Sequence, residues 1–496
     1  MAELFFSKSE QGAKRLAALA KQRQLFRVRQ GVYTDVAEEQ VADLLASRWY
    51  EVVAYLYSNP LVVYRTAHEL KPFNGHVFVM AGVKKRTQIK VGPSLTINVF
   101  PGDTDTLVDQ FVPALSRSGL PRRLMENLAE TRSSAKVPKA LGAKWVEQQL
   151  CKELERYGEA SLNSVRDQAL SEKDKLGMSK EFERLNEMIS AVLATHSAEG
   201  VLTTPLALAV AKGEPFDLER IKLFESLAQY LKSCFFKPVP FEYNASSWRN
   251  LSFFESYFSN YIEGTEFEID EAESIVFSRT IFGDRHEDSH DVLAVYDIVS
   301  DYQEMSETPD SAEELLEIIQ RRHQFMMAQR AGKNPGKFKQ KVNKAGASVF
   351  VEPTNLVGTL TRGFDFYRGL PKGMARAIYI QFLISECHPF DDGNGRLSRI
   401  MLNAELHEEQ QCKIILPTVH RDSYLNGLRL ATRQGVFRTL VKVFFQLQNY
   451  TAGINWLDYG EARECLVANK AHALPDEGVA EFNKHIRNYK MLLPSG

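Results

Sequence analysis

Apolar and polar positions alternate in three regimes along the chain. In residues 8–29, Leu16, Leu19 and Ala20 recur at helical spacing, and Leu25-Phe26-Arg27-Val28-Arg29-Gln30-Gly31-Val32-Tyr33 alternates around a glycine. That order predicts a helix followed by a short strand pair, the reading of a winged helix-turn-helix. The runs His76–Met80, Thr87–Val91 and Leu95–Phe100 are rich in β-formers and separated by Gly82 and Gly92-Pro93, which predicts a small antiparallel sheet. Helical periodicity returns at 105–131 and 143–195, then dominates from about 245 to 470. Within that last region, residues 347–351 form the one clear strand-like run, a β-hairpin set among helices. The expected fold is mainly α, with a winged-helix-like basic module (1–45), a mixed α/β region of no assigned role (46–240), a helical domain (245–450) and a C-terminal helical extension (451–496).

Composition changes this picture little. At 496 residues the chain exceeds a single core, since domains average roughly 150 residues. A net charge of −2 says nothing of partners, but residues 8–29 hold Lys8, Lys14, Arg15, Lys21, Arg23, Arg27 and Arg29 against Glu10 alone. DNA is therefore a candidate partner for this module. No apolar run of about 18 residues suggests a membrane span, and the N-terminus lacks an export signal. Five scattered cysteines form no Cys-x-x-Cys pair, so a reducing cytoplasm is the expected setting.

The chemistry concentrates in His388-Pro389-Phe390-Asp391-Asp392-Gly393-Asn394-Gly395-Arg396-Leu397-Ser398-Arg399. A buried helix over 374–386 runs into it and a second helix starts at its end. The glycine-rich turn thus brings backbone N–H groups and a helix N-terminus to one point, an anion site. Arg396 and Arg399 can clamp phosphate oxygens, a carboxylate beside polyphosphate suits Mg²⁺, and His388 is placed as a general base for a hydroxyl. Adjacent Asp391 and Asp392 cannot flank a sugar bond from two faces, which excludes a glycosidase pair. His286 and His290 have metal-binding spacing on a helix, but no further His or Cys lies near them.

Matched at every fixed position, His-x-Phe-x-Asp-Gly-Asn-Gly-Arg-x-x-Arg resembles the signature loop of the Fic family, and the resemblance extends over about 245–450. It implies an all-helical domain with a β-hairpin flap that transfers AMP from Mg-ATP to a Ser, Thr or Tyr hydroxyl of a protein. By the same resemblance His388 is the base, Phe390 anchors the loop, and Asp392 holds Mg²⁺. Gly393, Asn394 and Gly395 line the phosphate hole, Arg396 binds phosphates and Arg399 the γ-phosphate. Ser348, Val349, Phe350 and Val351 form a flap that pins the target by strand addition. Lys339 departs from the pattern, standing where relatives often have arginine.

Upstream, Phe253, Phe254, Tyr257, Phe258, Tyr261 and Ile262 make an aromatic helix that ends in Ser259-Asn260-Tyr261-Ile262-Glu263-Gly264. Ser259, Glu263 and Gly264 resemble the family's inhibitory motif, which implies that Glu263 pairs with Arg399 and keeps ATP from binding productively. The Arg-x-Arg-x-Gly-Val-Tyr wing of residues 27–33 is similar to the N-terminal module of AbiEi-type antitoxins. Two rival readings follow: a DNA-binding regulator whose Fic domain senses nucleotide, or a Fic enzyme that removes AMP. A homodimer is compatible with all of them.

Overall fold

The computed structural model describes residues 3–113, 115–130, 137–346, 348–487 and 489. They fall into two compact units, 1–213 and 214–496. Mainly α-helical, the described chain has no helix long and apolar enough to cross a membrane.

The first unit begins with β1 (Leu4–Phe6), α1 (Glu10–Lys21), β2 (Phe26–Arg29) and β3 (Val32–Thr34), whose strands form an antiparallel sheet in the order β1-β3-β2. Gly31 turns the β2–β3 hairpin at φ 81°, a conformation that a Cβ would penalise. Ser9 caps α1 by accepting from Gly12 N, and Leu16, Leu19 and Ala20 are only half-buried along it.

Next come α2 (Val41–Leu56), β4 (Leu61–Val62), α3 (Tyr64–Glu69), β5 (His76–Met80), β6 (Thr87–Val91), β7 (Leu95–Phe100), β8 (Val108–Val112), β9 (Leu115–Ser118) and α4 (Leu120–Leu128). The three expected strands are present, but they belong to a six-stranded mixed sheet ordered β6-β7-β5-β4-β9-β8. β5 runs parallel to β7, correcting the all-antiparallel expectation. The reason is strand order: β6 and β7 are antiparallel and β7 rather than β6 lies beside β5, so β7 runs with β5. β5 is covered on both faces, Val77 and Val79 packing with Trp49 and Leu45 of α2 while Phe78 and Met80 pack with Tyr64. A doubly covered strand belongs inside a sheet, so β7 lies between it and the largely exposed β6. The unit closes with α5 (Ala143–Leu176, kinked at Gly158), α6 (Ser179–Val192) and α7 (Pro205–Ala211).

The second unit holds one continuous apolar core. Its elements are α8 (Leu218–Ser233), α9 (Ala245–Ile262), α10 (Ile269–Phe277), α11 (His286–Ser300), α12 (Tyr302–Met305), α13 (Ala312–Met326), β10 (Lys344–Ala345), β11 (Ser348–Val349), α14 (Pro353–Arg368), α15 (Met374–Cys387), α16 (Asn394–Glu408), α17 (Arg421–Gln434), α18 (Arg438–Ala452), α19 (Tyr459–Ala468) and α20 (Pro475–Ile486). α15 is buried nearly all round, the pattern of a central helix. Gly363 lets α14 approach it, since a Cβ there would meet Leu383 Cδ1 and Phe224. α9 sits in the same core through Phe253, Phe254 and Phe258, and Tyr459 of α19 stacks on Phe254 at 5.7 Å. The C-terminal helices thus belong to this core.

The hairpin is shorter than expected. Lys344–Ala345 pairs with Ser348–Val349, Ala347 lies outside the described residues, and Val351 is fully buried in the core. Val351 therefore anchors the end of the flap.

Candidate active site

The turn between α15 and α16 is built by its own side chains. His388 ends α15 with φ 49°, and Gly393 starts α16 with φ 72°. A Cβ on Gly393 would stand 2.9 Å from Met326 Cε and Met327 Sδ, so the turn needs glycine there for both reasons. Asn394 locks the loop, its Oδ1 accepting from Phe390 N at 2.9 Å while its Nδ2 donates to Phe390 O at 2.8 Å. The Asn394 side chain thus holds the loop together, and its backbone N–H is left to meet an anion. Phe390 is fully buried, as expected of an anchor.

Lys339 braces the same loop. Its Nζ donates to Cys387 O at 3.1 Å and Asn343 Oδ1 at 2.8 Å, and its backbone N–H donates to Pro389 O at 2.9 Å. Burial pulls this ammonium down to about 8.

His388 Nδ1 lies 3.3 Å from Ser385 O. A carbonyl only accepts, so Nδ1 carries the hydrogen and Nε2 keeps its lone pair. Burial, aided by the nearby positive charge of Lys339, pulls the imidazole down to about 4, so it is neutral at pH 7. Phe350 stacks on the ring, 3.8 Å between centroids and 11° from parallel. This hairpin residue thus covers one face of the His388 ring.

A cavity of about 700 Å³ opens over the turn. His388, Asp392, Gly393, Asn394, Gly395 and Arg399 line one side, the hairpin residues Ser348 and Phe350 another, and Tyr424, Arg429 and Arg433 of α17 a third. No side chain caps the N-terminus of α16, leaving its first N–H groups and dipole for an anion. Arg220 of α8 ties the hairpin down, donating to Val349 O at 2.8 Å while pairing with Glu386. Burial raises the Glu386 carboxyl against the pull of Arg220 and Thr432.

Asp392 is half-exposed at the cavity, and its Oδ1 accepts from Gly393 N at 2.8 Å. Partial burial works against its charge, but this N–H and the cations Arg396, Lys333 and Arg330 outweigh it and hold the carboxyl below its ordinary range. An ionised carboxylate beside an anion hole fits Mg²⁺, which takes one or two protein carboxylates and completes its shell with phosphate and water. Among the described residues no group of three or more His, Cys, Asp or Glu could hold a metal by itself.

Arg396 and Arg399 part company. Arg396 is buried, pairs with Asp291 of α11, and is not among the residues lining the cavity. Arg399 does line it, yet its guanidinium is already engaged. Its Nε donates to Ser259 Oγ at 2.9 Å, and its Nη2 donates to Ser259 O and to Glu263 Oε1, both at 2.8 Å. The Glu263 carboxylate lies against the first turn of α16, where a Cβ on Gly395 would collide with it. Gly264 follows with φ 91°, ending the helix.

Sequence reasoning missed His323, Asp291, Arg220 and Glu386 as parts of this site. His323 and Asp291 sit on the buried faces of α13 and α11, where spacing marks them only as core positions.

Residues 311–406 match the Fic/DOC family. Among curated proteins, "Protein adenylyltransferase Fic" of Drosophila willistoni is 25% identical over 190 residues, 38% of this chain and 38% of that protein. Its counterpart in Drosophila persimilis is 36% identical over 66 residues, 13% of each. Among solved structures, Fic-1 of C. elegans superposes with a TM-score of 0.36 at 16% identity, covering 62% of this chain and 96% of that one. A Fic domain containing signaling protein from Bacteroides thetaiotaomicron gives 0.34 at 17% identity, covering 56% and 100%. The chain therefore spans well under half the length of the curated relatives it matches, and within that span it carries a Fic domain.

Proposed function

We propose that the chain is a protein adenylyltransferase that moves AMP from ATP to a protein hydroxyl and is held in check by Glu263. The observation that carries this reading is the His388 imidazole, neutral and with Nε2 bare, lining the same cavity as the uncapped α16 N-terminus. The target oxygen attacks the α-phosphorus and its proton passes to His388 Nε2. The bond from the α-phosphorus to the bridging oxygen breaks, and pyrophosphate leaves. The backbone N–H groups of Asn394 and Gly395, with Arg399, would stabilise the charge that develops on the phosphates. Asp392 would hold Mg²⁺, which supplies charge neutralisation on the phosphates when bound. Ser348 and Phe350 place the hairpin beside His388, where an extended target segment can lie.

With Nε and Nη2 of Arg399 held by Ser259 and Glu263, the guanidinium is committed away from a γ-phosphate on two of its three nitrogens, which supports regulated rather than constitutive transfer. Intact mass spectrometry of Glu263→Gly protein with ATP and Mg²⁺ tests the reading. A mass gain of one AMP is expected, absent when His388→Ala is added. No gain with Glu263→Gly, or an equal gain with the double variant, overturns it.

A second reading adds a DNA role for the first unit. Lys21, Arg23 and Arg27 are exposed and make no ion pair among the described residues. Duplex binding that weakens with salt and is lost on neutralising Arg23, Arg27 and Arg29 is the expected result; binding unaffected by those changes removes this reading.

A further inference from the structure

We propose that His323 is a positioning residue of the transfer site, fixing the peptide between Asp392 and Gly393 from beneath the loop. Its structural part stands on geometry alone; its kinetic consequence rests on the AMP-transfer reading.

His323 is fully buried on α13, with its ring 3.8 Å from that of Phe390 and 5° from parallel. Gly336 N donates to Nδ1 at 2.9 Å, and Nε2 lies 3.1 Å from Asp392 O. A backbone N–H only donates and a carbonyl only accepts, so the partners fix one tautomer: Nδ1 bare, Nε2 bearing the hydrogen. Both ring nitrogens are thereby spent on backbone, with none left over.

The consequence lies in the peptide that His323 holds. A trans peptide points its C=O and N–H in opposite directions. With the Asp392 carbonyl drawn down to His323, the Gly393 N–H points to the other side, where it meets Asp392 Oδ1 at 2.8 Å. The orientation of that carboxylate toward the cavity therefore depends on the orientation of this peptide. Gly393, at φ 72°, has the freedom that would let the peptide flip, and nothing else described donates to the Asp392 carbonyl. The same imidazole ties in the approach to the hairpin. Gln320 Nε2 donates to Gly336 O at 3.0 Å, and Asn334 Nδ2 donates to Asp391 Oδ2 at 2.8 Å, so one helix holds loop and approach in register.

The test uses the full chain in the Glu263→Gly background. His323→Phe keeps the stacking ring and removes both hydrogen bonds. His323→Gln supplies an amide oxygen and N–H at the spacing of the imidazole nitrogens, whereas His323→Asn can satisfy Gly336 but falls short of Asp392. We expect kcat for AMP transfer to fall about 10²-fold in the Phe and Asn variants, as for a site displaced by about 1 Å, and to recover in Gln. Amide hydrogen exchange over 390–395 should quicken in Phe and Asn but not in Gln, with the amides of α18 unchanged. Parent-like kcat and exchange in a folded Phe variant, or identical behaviour of Asn and Gln, overturns the proposal. Should the Glu263→Gly parent transfer no AMP, the reaction reading fails by itself, and the exchange measurement still decides the role of His323.

Discussion

Glu263 Oε1 accepts a hydrogen bond from Arg399 Nη2 at 2.8 Å, and the same oxygen occupies the space above Gly395 that a Cβ would need. A carboxylate there pairs with the arginine and lies beside the uncapped first turn of α16, so it stands where a phosphate oxygen would be favoured. Glu263→Gly should raise AMP transfer by on the order of tenfold or more, within the usual range of coupling between two competing ligands of one site. Arg399→Ala also breaks the pair but removes the phosphate contact, and should not activate. Labelled ATP incorporation in the two variants separates release of a brake from simple loosening of α9.

Gly393→Ala sets a Cβ against Met326 Cε and Met327 Sδ at a residue with φ 72°. The left-handed conformation alone costs about 1–2 kcal/mol, and the collision adds to it. Urea unfolding should show at least that loss, and AMP transfer should fall further than stability does, because the displaced residue lines the cavity.

Asp291 holds two arginines on one oxygen, Arg396 Nη1 and, at 2.9 Å, Arg330 Nε. Asp291→Ala leaves Arg396 buried without its counter-charge, a loss of about 3–5 kcal/mol in urea unfolding. Since Arg396 faces Asp291 rather than the cavity, Arg396→Met should cost stability while raising KM for ATP less than Arg399→Ala does. A reversed order would place Arg396 among the phosphate ligands.

His323, His407 and His420 are buried neutral, each pulled by burial to about 4. Their folded values lie below the unfolded value near 6.5, so the unfolded chain binds more protons in that window. Stability is full above about pH 6.5 and declines as pH falls toward 4, by roughly 1 kcal/mol per pH unit for each histidine. Urea midpoints between pH 7.5 and 4.5 should fall accordingly. His388 is likewise pulled to about 4, so the acid limb of the rate should lie near there instead of near 6.5, provided it is measured where the protein remains folded.

The turn chemistry was legible in the chain because it is local. Gly393, Asn394 and Gly395 between two apolar helical stretches specify a tight turn into a helix N-terminus, whatever surrounds it. The aromatic run before Glu263 likewise specifies a buried helix that stops at Gly264. Partners far apart in sequence were decided only by packing. The β5–β7 pairing is parallel because β7, not β6, lies beside β5, a choice of neighbour that the apolar run of β5 cannot announce. Arg396 and Arg399, three residues apart on one helix, look equivalent in the chain. Yet α11 presents Asp291 to one and α9 presents Glu263 to the other, so the first is buried as a strut and the second faces the cavity. His323 reads as an ordinary core position of an amphipathic helix, and only the fold brings its two nitrogens to Gly336 and Asp392. Turns and helix periodicity are set by neighbouring residues, and so the sequence determined them; which strands pair and which charge meets which depend on long-range packing, and so the tertiary structure decided them.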